Sequence, residues 1–211
     1  MKTDDLIEAL ARNESAAERP RRTQALIFTL IDGLACALLI VAGAGFARPD
    51  LAAALMPVMA KAAFAAAFAA AALPLMLRLA QPGRPWRRAL TVALGLLLAS
   101  LIVAAIAMFG ADPADRMRAW MGGGAPWCVV FIPILALPAA AALLAFVRNL
   151  APTNLIAAGA AIGAVAGGVG AMAYALYCPV DSVAFVTTWY AAGIALSAVI
   201  GALVGAKFLR W

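Results

Sequence analysis

Long apolar runs alternate with short polar gaps along the whole of this sequence, and nearly every charge falls in a gap. A helix needs about 20 consecutive apolar residues to cross the hydrocarbon of a bilayer. Six runs meet that length: 24–46, 51 or 57 to 77, 89–110, 127–147, 155–177 and 188–208. The pattern predicts an all-α, polytopic membrane protein of six transmembrane helices joined by short loops. A polar N-terminal segment, 1–23, precedes a transmembrane domain, 24–211.

Composition supports this reading. The chain is 66% hydrophobic and 12% charged, against roughly a quarter charged in a soluble domain. The first run is about 22 residues long, beyond the roughly 7–15 of a signal-peptide core, and is expected to be a retained span. The formal charge of +6 raises nucleic acid as a partner. The basic residues flank apolar runs rather than alternating with aromatics on a face, so they report membrane topology and no direct nucleic-acid contact. Histidine is absent, which removes the commonest general base and metal ligand. No enzymatic activity and no cofactor are expected.

Lysine and arginine mark the cytoplasmic loops of membrane proteins. Alternate gaps of this chain hold twelve of these residues on one side and three, Arg48, Arg116 and Arg118, on the other. Both termini are therefore expected in the cytoplasm. Gly159, Gly163 and Gly167 recur at every fourth position of the fifth run, and Gly193, Ser197, Gly201 and Gly205 of the sixth. Such stripes let helix backbones approach closely in lipid. Packing of these two spans within one chain is the favoured reading, with a homodimer as the alternative.

The N-terminal segment predicts a short amphipathic helix. Thr3 is a good N-cap, and Asp4 and Asp5 in the first turn complement the helix dipole. Leu6, Ile7 and Leu10 share a face. A membrane-surface helix favours basic residues on its polar face, whereas this one offers Asp4, Asp5 and Glu8. An apolar groove with a basic rim on a protein partner fits it better; the plainer alternative is a solvated leader. The loop 81–88 reads as a positive-inside loop, with docking of a cytoplasmic partner as its second use.

Cys128 opens the fourth run and Cys178 closes the fifth. Both lie about 30–35 Å from the turn that joins these spans, at similar height on the outer side, where disulfides persist. Position alone leaves open a static staple, a redox switch, a two-thiolate site for a soft metal, or two small packing residues. Cys36, in mid-span, reads as packing. Asp32 and Lys61 also lie within spans, where charge is costly. About 12 Å of depth separates them, so Asp32 is expected to face the bundle interior and Lys61 to snorkel outward.

The acidic leader Thr3-Asp4-Asp5-Leu6-Ile7-Glu8-Ala9-Leu10, the six spans with both ends inside, and the two outward cysteines in Trp127-Cys128 and Cys178-Pro179 together resemble the NrsF-type family of bacterial membrane anti-sigma factors. The resemblance covers the full length. It implies a multi-pass inner-membrane protein that holds an extracytoplasmic-function sigma factor until a stress signal releases it. Cys128 and Cys178 would then sense heavy metal or oxidant, with metal held by both. Thr3, Asp4, Asp5, Leu6, Ile7 and Leu10 would help hold the sigma factor. Cys36 has no counterpart in that pattern. Two rival classes use the same residues. A membrane thiol–quinone oxidoreductase would normally carry a Cys-x-x-Cys pair, which is missing, and a small transporter or channel would place Asp32 in its path.

Overall fold

A computed structural model of the protein describes residues 23–24, 26–27, 29–43, 45, 48–122 and 126–210. Among them all regular structure is helical. The elements are α1 (Thr29–Gly43), α2 (Leu55–Leu79), α3 (Arg87–Gly110), α4 (Arg116–Met121), α5 (Cys128–Arg148), α6 (Leu155–Tyr174) and α7 (Val183–Phe208). Five of them, α2, α3, α5, α6 and α7, are long and apolar enough to cross a membrane. The chain is a membrane protein of the all-α class. The described part of α1 is shorter than a full crossing, although residues 23–24 and 26–27 ahead of it are helical too.

The helix α6 is the centre of the bundle: fourteen of its twenty residues are buried. Glycine makes this possible, because each face of α6 meets a neighbour's backbone. A Cβ on Gly163 would lie 2.8 Å from the carbonyl carbon of Ser197, and one on Gly159 would lie 2.9 Å from Gly205 Cα. Gly159, Gly163 and Gly167 thus face Ser197, Gly201 and Gly205 within one chain, while Gly193 faces Ile132 of α5. Gly168 meets Ala69 of α2, and Gly170 meets Ala136 and Ile132 of α5. Close backbone approach of this kind replaces the hydrophobic drive that lipid cannot supply.

Other elements surround this axis unequally. Gly33 of α1 packs onto Ala139 of α5, where a Cβ would stand 2.6 Å from that of Ala139. Only Ala89, Ser100 and Ala104 of α3 are buried, so α3 is the most loosely seated long helix.

Two buried clusters divide the bundle along its axis. One gathers Leu26, Met76, Leu79, Leu143, Val147, Ala158 and Leu209. The other gathers Ala37, Val41, Phe68, Cys128, Cys178 and Tyr190. The first marks the end that carries Arg78, Arg84, Arg87, Arg88 and Arg148, here the basic end. The second leads to the cysteine end. The described chain starts and stops at the basic end, since Leu26 and Leu209 share its cluster.

The sequence boundaries hold to within a few residues, with two departures. The gap 111–126 contains the helix α4, and α7 begins at Val183 rather than at 188. The extra turn of α7 is interrupted by a π-helical segment, Val186–Tyr190. Such bulges are rare and frequent at functional sites.

Candidate functional site

The cysteine end brings together side chains from six stretches of chain. Cys128 begins α5, while Cys178 follows α6 after a turn in which its N–H donates to Tyr174 O at 3.1 Å. Both thiols are free and buried, at 0% and 1% exposure. They share one apolar cluster with Ile132, Tyr174 and Tyr190. Tyr190, on the π-helical turn, is itself fully buried, and among the described residues its hydroxyl has no oxygen or nitrogen partner. It lies beside the Cys178 thiol. Phe131, Tyr174, Tyr177 and Tyr190 form a chain of ring contacts at 5.4–6.2 Å around the pair.

A roof covers the thiols. Gly122, in the left-handed conformation at φ 67° where glycine is favoured, ends α4; a Cβ there would meet Val180 at 2.8 Å. Trp189 donates its indole N–H to Trp120 O at 2.8 Å, and the two rings sit 5.1 Å apart. These contacts tie α4 to α7 above the segment 178–185.

A charged network fixes that segment from the side. Lys61 of α2 is 3% exposed. Its ammonium donates to Cys178 O at 2.7 Å, Asp181 Oδ1 at 2.7 Å and Val180 O at 3.3 Å. Arg48 donates to Asp181 at 3.0 Å through Nη1, and its Nε reaches Asp50 at 2.7 Å. The Arg48 backbone N–H also bonds Leu176 O at 3.0 Å. An ammonium this deep in a span is tolerated because it is paired and every proton has an acceptor.

The network is electrostatically coherent. The hydrogen bonds that Arg48 donates to Asp50, then to Asp181, push its guanidinium pKa up. The Arg48 hydrogen bond draws the Asp50 carboxyl below its ordinary value. Burial works against the Asp181 charge, but the bonds from Arg48 and Lys61 outweigh it and leave this carboxyl low as well.

The structure amends two sequence readings. Lys61 does reach toward the cysteine end, yet its buried ammonium ends in an ion pair with the partly exposed Asp181 rather than in solvent. Asp32 is exposed rather than turned into the bundle. Its neighbour Gly33 takes the contact with α5, and successive helix residues point about 100° apart, which leaves Asp32 outside. Cys36 is also exposed, unlike the other two thiols. Sequence reasoning did not find Asp181, since it lies outside the spans and only the fold pairs it with Lys61. The predicted leader residues Thr3, Asp4, Asp5, Leu6, Ile7 and Leu10 lie outside the described residues. Among the described residues no cluster of three or more cysteine or acidic residues forms a metal site; Cys128 and Cys178 stand as a pair.

This geometry, two free thiols at one end of a helical bundle and an arginine-rich loop at the other, accompanies a full-length match to known proteins. The family described as "NrsF: Negative regulator of sigma F" matches residues 10–211. The chain belongs to this family. Its relatives include the "Probable anti-sigma-F factor NrsF" of Azospira oryzae, 36% identical over 216 residues and 100% of both chains. The "Anti-sigma-F factor NrsF" of Caulobacter vibrioides is 34% identical over 220 residues, again across 100% of both. No solved structure matches. Membership of a family of regulators points away from the oxidoreductase and the transporter. The match begins at residue 10, so most of the acidic leader precedes it.

Proposed function

We propose that this protein is an anti-sigma factor of the bacterial inner membrane, spanning it six times with α1 as the first crossing. The reading is supported above all by two relatives named anti-sigma-F factors that align with the whole chain. The basic end, with both termini, lies in the cytoplasm, as the lysine and arginine distribution demands. There the segment 1–23 holds a sigma factor of the extracytoplasmic-function type through Thr3, Asp4, Asp5, Leu6, Ile7 and Leu10.

The cysteine end faces the periplasm and receives the signal. An oxidant converts the Cys128 and Cys178 thiols to a disulfide, taking two electrons while two protons leave; a soft metal ion instead binds both as thiolates. Either event must move 178–181 against Lys61 and Arg48, because Cys178 O is held by Lys61. The far end of α2 carries Arg78 next to the loop 81–88, so a tilt of α2 carries the change across the bilayer. Turning a population from 1:99 to 99:1 takes about 5.5 kcal/mol of differential binding, within reach of two metal–sulfur bonds.

Sigma-dependent transcription with and without metal or oxidant, in Cys128→Ser and Cys178→Ser strains, tests the sensor. An unchanged response removes the thiols from the mechanism. Deleting residues 1–12 releases the sigma factor constitutively if the leader is the clamp; retained co-purification refutes that. Impermeant labelling that finds Cys178 and the N-terminus on one side of the membrane overturns the topology.

A further inference from the structure

We infer that the basic end carries a built site for one anionic phospholipid, with its headgroup among arginines and an acyl chain between α2, α3, α6 and α7. Two adjoining clefts make the site. The first, of about 780 Å³, is lined by Arg78, Arg84, Arg87, Arg88, Thr153 and Asn154 together with turn residues of the loop 81–88. Among the described residues no acidic side chain lines it. Arg78 donates to Pro85 O at 2.7 Å and so holds the loop in place. Arg84, Arg87 and Arg88 are exposed. The ion pairs among described residues all lie at the other end, around Arg48 and Lys61. Three guanidinium groups thus line one cleft with no carboxylate among the described residues to answer them.

The second cleft, of about 460 Å³, begins where the first ends, for both are lined by Leu79 and Trp86. None of its eighteen described lining residues is charged, and ten of them are alanine. It runs from Leu90 to Leu97 along α3 and from Ala157 to Ala164 along α6, about 10 Å at the helix rise. The small side chains and the light seating of α3 leave a slot that the protein does not fill. An empty slot would forfeit dispersion contacts on both walls, and in a bilayer the available filler is an alkyl chain. Trp86, at the junction, has the amphipathic ring that suits the headgroup boundary. A basic pocket opening onto an apolar interhelical slot is the pairing that an anionic lipid satisfies.

Phosphatidylglycerol and phosphatidylcholine of identical chains, titrated onto the purified full-length protein and counted by native mass spectrometry, test the site. The expected result is one preferred phosphatidylglycerol. An arginine near a membrane surface is worth about fivefold, so the triple variant Arg84→Gln/Arg87→Gln/Arg88→Gln loses about a hundredfold of that preference. Filling the slot with Ala160→Phe weakens both lipids alike while helicity, followed by circular dichroism, is kept. Equal binding of the two lipids, or an unaltered preference in the triple variant, overturns the inference. So does complete displacement by inorganic phosphate, which would reduce the site to a bare anion pocket. A triple variant that keeps its lipid preference but loses capture of a sigma factor would make the arginines a protein-docking rim, and the lipid site would fall.

Discussion

The Lys61 ammonium donates a 2.7 Å hydrogen bond to the backbone carbonyl of Cys178, a residue 117 positions further along the chain. The same nitrogen pairs with Asp181 at 2.7 Å. One buried side chain of α2 therefore grips the segment on which a buried thiol sits.

The two ends of this grip differ in cost. Asp181→Asn leaves the Lys61 charge buried without its counter-ion and destabilises the fold by about 3 kcal/mol, the lower limit for breaking a buried pair because Asp181 itself is partly exposed. Lys61→Met removes the buried charge itself and leaves Asp181 with Arg48, so about 1–3 kcal/mol is lost. Denaturant unfolding of the two variants in micelles measures the order; Lys61→Met as the more damaging change contradicts it.

Acid should loosen the same network. The Asp181 and Asp50 carboxyls are held below their ordinary value of 3.8 in the folded protein. Their contribution is complete above that value and is lost as pH falls through the lower folded values. The melting temperature drops when pH goes below about 4, and the drop is smaller in Asp181→Asn. A flat profile between pH 5 and 3 argues against the network.

The buried thiols should be slow to alkylate at rest. With Cys36→Ser removing the exposed thiol, an aqueous maleimide reacts with Cys128 and Cys178 only when the roof opens. Trp189→Phe deletes the bond to Trp120 O and speeds labelling, by about fivefold for a bond worth about 1 kcal/mol. Mass-spectrometric labelling rates read this directly.

The glycines divide cleanly into two kinds. Gly163→Leu drives a side chain into the Ser197 backbone and costs about 4–5 kcal/mol or prevents assembly. Gly95→Ala of α3 meets nothing within 4 Å and is neutral or stabilising by up to about 1 kcal/mol. Expression and melting of both variants decide.

Five of the spans, α2, α3, α5, α6 and α7, were legible because lipid demands apolar length, a signal carried by each segment alone. The α6 and α7 stripes were legible for the same reason: a four-residue glycine period announces a close neighbour and needs no knowledge of which one. The heights of Cys128 and Cys178 followed from helix rise and a shared turn. Lys61 shows where such reasoning stops. Depth ruled out Asp32 correctly, but the true partner is Asp181, in a loop whose position depends on how α6 ends. The helix α4 was missed because six residues between turn formers carry no period, and its role as a roof exists only once Trp120 meets Trp189.

The packing of α6 has a mechanical meaning. An element whose glycines press main chain against main chain on three sides has no side chains left to rearrange, so it acts as a stiff spindle. Movement must then be borne at the rim, as tilting of whole helices, and α3 with its three inward residues is the part with the freedom to swing.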